Sequence, residues 1–168
     1  MRKFRALSLL CLTLLFGGAA AGQTVTSTYD KDYGLSRLDT YEFSSEERDK
    51  SDPLASNILT EGKIKDALDE ELQNSGHHPP PQGGAPSFYI SFHVKAEDKT
   101  EEYGGKTSYV QGALVVDFHD AATKRLVWRG VVTGVVGRSS VDLRLAEESA
   151  KSGAKLLLEQ FGRDQLGF

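Results

Sequence analysis

The sequence predicts an α+β fold: a two-layer sandwich in which a mostly antiparallel sheet of about five strands carries two helices on one face. Several short stretches alternate apolar with polar residues, as half-buried strands do. Two longer stretches repeat apolar residues near every 3.6 positions, as amphipathic helices do. These stretches follow the order strand, strand, helix, three strands, helix, which fits two helices packed on one sheet.

The N-terminal residues have the order of an export signal. Three basic residues precede the apolar run Ala6 to Phe16, and small residues follow as far as Ala21. The run is shorter than the roughly 20 apolar residues that a helix needs to cross a bilayer. We therefore predict a signal peptide at residues 1–21, no transmembrane anchor, and a single α+β domain at residues 22–168.

The chain has one cysteine, Cys11, within the apolar run. It follows Leu10, whereas a lipid-modified cysteine follows a small residue at the end of the signal, so a lipid anchor is not expected. Cleavage after Ala21 would leave 147 residues without cysteine. Such a domain is stabilised by packing rather than by disulfides.

Charge argues against two classes of partner. Without the signal, the chain has 17 Lys and Arg against 24 Asp and Glu, a net charge of −7. An acidic protein repels phosphate backbones and anionic headgroups. Nucleic acid is therefore not expected as a partner, and binding to a membrane surface is disfavoured.

The first half of the domain predicts two strands and a helix. Val25 to Tyr29 alternates in the manner of a strand, and a second strand is expected around Tyr41. Ser51 to Pro53 is a helix start signal, Gly76 is a C-cap candidate, and Gly62 suggests close packing against the sheet. The apolar face of this helix comprises Leu54, Ile58, Ile64, Leu68 and Leu72.

The second half predicts three strands and a helix. After a proline-rich surface connection, His77 to Pro86, a strand is expected from Phe88 to Val94 and a polar hairpin loop from Ala96 to Lys106. Strands from Ser108 to His119 and from Arg125 to Val136 share a short turn. A helix begins at Ser139 or Ser140, and its apolar positions are Leu143, Ala146, Ala150, Ala154, Leu157 and Phe161.

Four segments resemble the DUF4136 family of bacterial envelope proteins: Val25 to Asp30, Leu35 to Phe43, Ile64 to Gly76, and Gly112 to Asp120 continuing through Leu126 to Gly130. The resemblance covers about residues 24 to 162. It implies an exported protein of a Gram-negative periplasm or a secreted one, without established catalytic residues. The chain departs from the family in lacking a lipidated cysteine after the signal and in its proline-rich connection.

One sheet face is a candidate partner surface. Trp128 is expected in the core, so its neighbour Arg129 points to the opposite face, where it can pair with an acidic residue of a neighbouring strand. If both helices cover one face, the other is exposed or covered by a partner. The residues predicted for that second face are Tyr109, Gln111, Arg129 and Thr133.

Histidines and acidic residues offer candidates for a metal site, a catalytic acid/base group and a Ca²⁺ loop. The sequence favours none of the three. His77 and His78, with His93 or His119, are too few and too scattered for a metal site, so they are expected to be exposed or hydrogen-bonded. The other candidates are an acid/base group with a nucleophile, from Asp117, His119, Asp120 and Ser108, and a Ca²⁺ loop, from Glu97, Asp98, Glu101 and Glu102. A turn and a solvated charge run explain them more simply.

Four functions remain open at this stage. The favoured one is a non-enzymatic binding or structural module of the cell envelope, with an envelope protein as a possible partner and no cofactor or metal. A carrier of a small ligand or lipid is the alternative and would need a continuous apolar cavity between sheet and helices. An exported hydrolase ranks third, and a metal binder that uses His77 and His78 ranks last.

Overall fold

In a computed structural model, the chain is described over residues 22–44, 61–101, 107–137 and 143–167. The predicted signal peptide, the predicted start of the first helix and the serines expected to begin the second lie outside these residues.

Five strands form one sheet in the order β1-β5-β4-β3-β2. Their bounds are Thr24–Tyr29 for β1, Tyr41–Phe43 for β2, Phe88–Glu101 for β3, Thr107–Asp120 for β4 and Leu126–Gly137 for β5. All neighbours are antiparallel except β2, which runs parallel to β3. The predicted α+β class and the mostly antiparallel sheet of five strands are thus confirmed.

The hairpin of β3 and β4 is longer than the sequence predicts. The loop expected from Ala96 to Lys106 is wrong as far as Glu101, because β3 continues to that residue and pairs along its whole length with β4; residues 102–106 lie outside the described parts of the chain. Charged residues are uncommon in strands. Here each charged residue of β3 has a cross-strand neighbour on β4, as Lys99 has in Tyr109. Pairing and side-chain contact therefore outweigh the local preference.

Two helices follow the predicted order. Helix α1 spans Glu61–Asn74 and α2 spans Leu143–Leu166. The predicted C-cap is confirmed: Gly76 has a φ of 90°, and the N–H of His77 donates to the carbonyl of Leu72 at 3.0 Å. A short 3₁₀ turn, Leu35–Arg37, lies between β1 and β2.

The core lies between one face of the sheet and both helices. Strand alternation directs the even-numbered apolar residues of β3 and β4 to this face. Helix α1 contributes Ile64, Ala67, Leu68 and Leu72, and helix α2 contributes Ala150, Ala154, Leu157, Leu158 and Phe161. Gly62 is exposed on α1 with open space where a side chain would stand, so its predicted close packing is wrong.

Aromatic rings join three strands to α2. The ring of Phe118 on β4 lies 4.8 Å from the rings of Phe88 and Trp128 and 4.9 Å from that of Phe161, measured between centroids. The indole N–H of Trp128 donates to the carboxylate of Asp164 at 2.7 Å within the core. The polar atom of the tryptophan is thereby satisfied while its ring is buried.

Gly130 on β5 is the position at which this packing leaves least room. A Cβ there would lie 2.7 Å from Cδ2 of Leu157 and would also overlap the ring of Trp128. We expect Gly130→Ala to lower the free energy of unfolding by about 1–3 kcal/mol, because core side chains must move apart. Urea denaturation measures the change.

Gly62→Ala is the matched control, because the added methyl group meets nothing within 4 Å. Within a helix this change should raise the free energy of unfolding by about 0.5–1 kcal/mol. Equal effects of the two substitutions would contradict the packing described for Gly130.

Candidate functional site

The sheet face opposite the helices is the candidate site. Strand alternation places on it the threonines of β1 and the odd-numbered residues of β3, β4 and the greater part of β5. No element within the described parts of the chain packs over this face. We call it the open face.

The structure places all four predicted partner-facing residues on the open face. Tyr109, Gln111 and Thr133 are partly exposed, and Arg129 is exposed. Gln111 and Thr133 are near neighbours, because Gln111 pairs with Val135 and Ala113 with Thr133. Tyr109 is eight positions along β4 from the residue that faces Arg129, roughly 27 Å away at the usual rise of a strand.

The apolar centre of the open face is a feature that the sequence analysis missed. Val115 and Val131 stand directly opposite each other and are both partly exposed. Ala113 lies beside them, opposite Thr133, whose hydroxyl is 2.7 Å from that of Thr24. The alternation that placed Thr133 on this face also predicts Val131 there, because both are odd-numbered residues of the same strand.

Arg129 is held by Asp117 on the neighbouring strand. Its Nε and one terminal nitrogen donate to the two carboxylate oxygens at 2.6 and 2.7 Å, a bidentate ion pair. The Asp117 side chain is only 9% exposed, whereas that of Arg129 is 44% exposed. The hydrogen bonds to Asp117 raise the pKa of Arg129 above its ordinary value. The predicted pairing of Arg129 with an acidic residue is thus confirmed.

His77 departs from its prediction. It was expected to be exposed or hydrogen-bonded, but it is only 7% exposed, and none of the described residues forms a hydrogen bond with its buried Nδ1. Its ring packs against Phe161 and Phe88, with centroids 5.6 and 6.2 Å away. The capped end of α1 directs this side chain inward, and burial lowers the pKa of His77.

The histidines do not converge on a metal. His78 is exposed, and His93 and His119 lie on different strands. Over residues 22–44, 61–101, 107–137 and 143–167, no group of three or more His, Cys, Asp or Glu side chains is placed to hold an ion. A metal site needs three or four such ligands.

The residues considered for acid/base catalysis are separated. Ser108 and His119 are eleven positions apart on β4, roughly 37 Å along the strand, so one cannot activate the other. Asp117 is bound to Arg129. Hydrogen bonds from Thr123 and from the hydroxyl of Tyr33 lower the pKa of Asp120 to about 2. Asp120 is therefore ionised, and it stabilises the turn after β4 by accepting hydrogen bonds from Thr123.

The acidic run considered for Ca²⁺ lies along β3. Glu97 and Asp98 are consecutive strand residues, so their side chains point to opposite faces of the hairpin. Glu97 forms an ion pair with Lys99, 2.6 Å apart. The side chain of Glu101 and all of Glu102 lie outside the described parts.

Two of the spaces between described residues bear on ligand binding. A cavity of about 20 Å³ between the sheet and the helices, bordered by Ile64, Leu114, Val132 and Ala150, has room for about one water molecule. An open groove of about 460 Å³ separates the segment after β1 from the end of α2. It is lined mostly by polar groups.

Comparison with known proteins defines the class and then the family. The chain has the fold of an α+β sandwich with one helix-covered and one open sheet face. Residues 25–161 match the family described as domain of unknown function DUF4136, and the chain belongs to this family. No curated protein matches the chain in sequence.

Two solved structures share the fold at low identity. A PDZ domain protein from Parabacteroides distasonis aligns with a TM-score of 0.55 and 14% identity over 83% of this chain; the alignment spans 36% of that protein. A PelC dodecamer from Paraburkholderia phytofirmans aligns with a TM-score of 0.53 and 16% identity over 83% of this chain and 96% of the PelC chain. None of the described helices is long and apolar enough to span a membrane.

The ion pair on the open face gives a prediction about stability. We expect Arg129→Ala to lower the free energy of unfolding by about 1–3 kcal/mol, because the nearly buried carboxylate of Asp117 loses two hydrogen bonds. The double variant with Asp117→Ala should lose less than the sum of the two single effects. Urea denaturation of the four proteins measures this coupling.

Arg125→Ala is the control. Arg125 forms an ion pair with Asp30, and its side chain is 68% exposed. Exposed pairs contribute about 0–1 kcal/mol. An Arg129→Ala effect no larger than that of Arg125→Ala would contradict the role given to burial.

His77 gives a prediction about pH. Its pKa is lowered in the fold from the ordinary 6.5, so between the folded pKa and 6.5 the unfolded chain binds a proton that the folded chain does not. Stability from this residue is therefore fully present above the unfolded pKa and decreases as the pH falls through 6.5 towards the folded pKa. We expect His77→Phe to reduce the loss of unfolding free energy between about pH 7.5 and pH 5.

His93→Phe is the control, since His93 is partly exposed on the open face. Urea denaturation at both pH values measures the effect. The prediction fails if His77→Phe and the unmodified protein lose the same free energy on acidification.

Proposed function

We propose that this protein is an exported, non-enzymatic module of the cell envelope that binds another envelope protein through the open face. The observation that carries the proposal is that the sheet has one face covered by helices and one uncovered by any described element. A protein interface commonly has an apolar centre and a polar rim. Val115 and Val131 supply such a centre, with Gln111, Arg129 and Thr133 around it.

Rigidity of the face supports this function. The guanidinium of Arg129 is fixed by two hydrogen bonds to Asp117, so little side-chain freedom remains to be lost when a partner binds. The bidentate pair also fixes the direction of the remaining N–H groups of Arg129, and 44% of the side chain is exposed. A partner that offers a carbonyl or carboxylate at this position would complement it.

Two further observations support a binding module over the alternatives. The residues considered for hydrolysis are bound elsewhere or lie far apart on β4, and those considered for a metal are dispersed. The fold is also that of PelC, a protein solved as a dodecamer, which supports a place for this fold in protein assemblies.

A small-ligand or lipid carrier remains the alternative. Ligand pockets usually have volumes of about 300–1,000 Å³ and apolar walls. The cavity between sheet and helices measures about 20 Å³, and the groove of about 460 Å³ is open and mostly polar. An apolar cargo fits neither space, so the binding module is preferred.

Site-specific photo-cross-linking in intact cells of the source bacterium tests the proposal. A photoreactive residue at Gln111 or Thr133 should yield the same adduct with one envelope protein, whereas one at Lys155, exposed on α2, should not. Arg129→Ala should reduce that adduct at least about fivefold, because a directed hydrogen-bonding group is lost. Equal adducts from all three positions, or none from the open face, would contradict the proposal.

Export is tested in the same cells. We expect the mature protein in the periplasmic fraction or the medium, with an N-terminus at Gly22. Retention of Met1 in the purified protein would contradict the export signal and the assigned compartment.

A further inference from the structure

The outer edge of β1 is a second surface with the properties of an interface. Among the described strands, β1 is terminal in the sheet, and its single partner is β5. Backbone groups of a strand point alternately to its two sides, and the N–H of Asp30 donates to the carbonyl of Val127 at 3.0 Å. The residues that direct their N–H and C=O groups away from β5 are therefore Val25, Ser27 and Tyr29.

Within the described parts of the chain, this edge lacks the usual protection against strand pairing. Exposed edges are commonly blocked by lysine, proline or a bulge. The six residues of β1, Thr24–Tyr29, include no charge and no proline, and their register with β5 is continuous. Among the described residues, none forms a backbone hydrogen bond with the outward groups of Val25, Ser27 or Tyr29.

The sequence of β1 is complementary to itself in one antiparallel register. With Ser27 opposite Ser27 of a second copy, Thr26 faces Thr28 and Val25 faces Tyr29. All three outward residues then stand in hydrogen-bonded pairs, each of which exchanges two bonds. Val25 and Tyr29 already pack partly against the core, so their exposed portions would cover each other.

Charges at the ends of the strand are compatible with this register. Lys31 would face Gln23, and Asp30, which is paired with Arg125 in its own chain, would face Thr24. No charged residue meets one of the same sign over this length. The register is therefore free of the like-charge contacts that destabilise strand pairs.

We propose that two copies of this chain associate through β1, antiparallel and about a two-fold axis at Ser27. The two five-stranded sheets then form one continuous sheet of ten strands, with all helices on the same side. A second copy is the occupant because the one register that satisfies every outward group is self-complementary. The association uses the sheet edge and does not depend on the function proposed for the open face.

Disulfide trapping tests the register. In the full chain carrying Cys11→Ser, Ser27→Cys places two thiols in a directly opposed pair, with Cα atoms about 5.5 Å apart, within disulfide range. Thr26→Cys is the matched control, because its two copies would lie roughly 8 Å apart, beyond disulfide range. We expect at least about tenfold more linked dimer from Ser27→Cys after mild oxidation; equal yields would overturn the proposal.

Sedimentation equilibrium tests the association without cross-linking. Ser27→Pro removes an outward N–H and leaves the pairing of β1 with β5, a substitution that edge strands tolerate. We expect the unmodified chain to be dimeric and Ser27→Pro to raise the dimer dissociation constant at least about tenfold, with thermal unfolding of the diluted monomer unchanged. A monomer at about 100 µM, or an assembly that Ser27→Pro leaves intact, would overturn the proposal.

Discussion

The aromatic contacts around Phe118 are the interaction on which this structure depends. Phe118 lies on β4, the middle strand of the sheet, and its ring meets those of β3, β5 and α2. Each ring removes a large apolar area from water, and the ring of Phe161 meets those of Phe118 and Trp128 edge to face. Through Phe161 and the hydrogen bond from Trp128 to Asp164, the same cluster fixes α2 on the sheet. Because α2 packs on one side of the sheet, no described element covers the opposite face.

The two faces of the sheet therefore differ in how their side chains are held, even between adjacent residues of one strand. Trp128 and Arg129 are adjacent, yet one is fully buried beneath α2 and the other is exposed and bound to Asp117. The helix-covered face gains stability from area buried, whereas the open face holds polar groups in fixed directions. A bidentate pair between adjacent strands is suited to this, because it orders a charged group without enclosing it.

Sequence periodicity predicted the parts of this fold that local patterns determine. The strands around Val25 and Phe88 and the C-cap at Gly76 follow from alternation and glycine conformation. It failed for residues 96–101, where strand pairing outweighs charge, and for the burial of His77, which depends on Phe161 far along the chain. On the open face it identified the side chains but not Asp117 as the partner of Arg129, because strand order is a property of the whole sheet.

The positions of β1 and β2 have a consequence for how the protein is made. Only residues 30–40 separate these strands, yet they lie at opposite edges of the sheet, each against a strand from the later part of the chain. β1 thus has no pairing partner until β5 has been synthesised, whereas β2 can pair once β3 has been made. Contacts so distant in sequence form slowly. The β1 edge of the sheet can therefore be completed only after the hairpin of β3 and β4 has been synthesised.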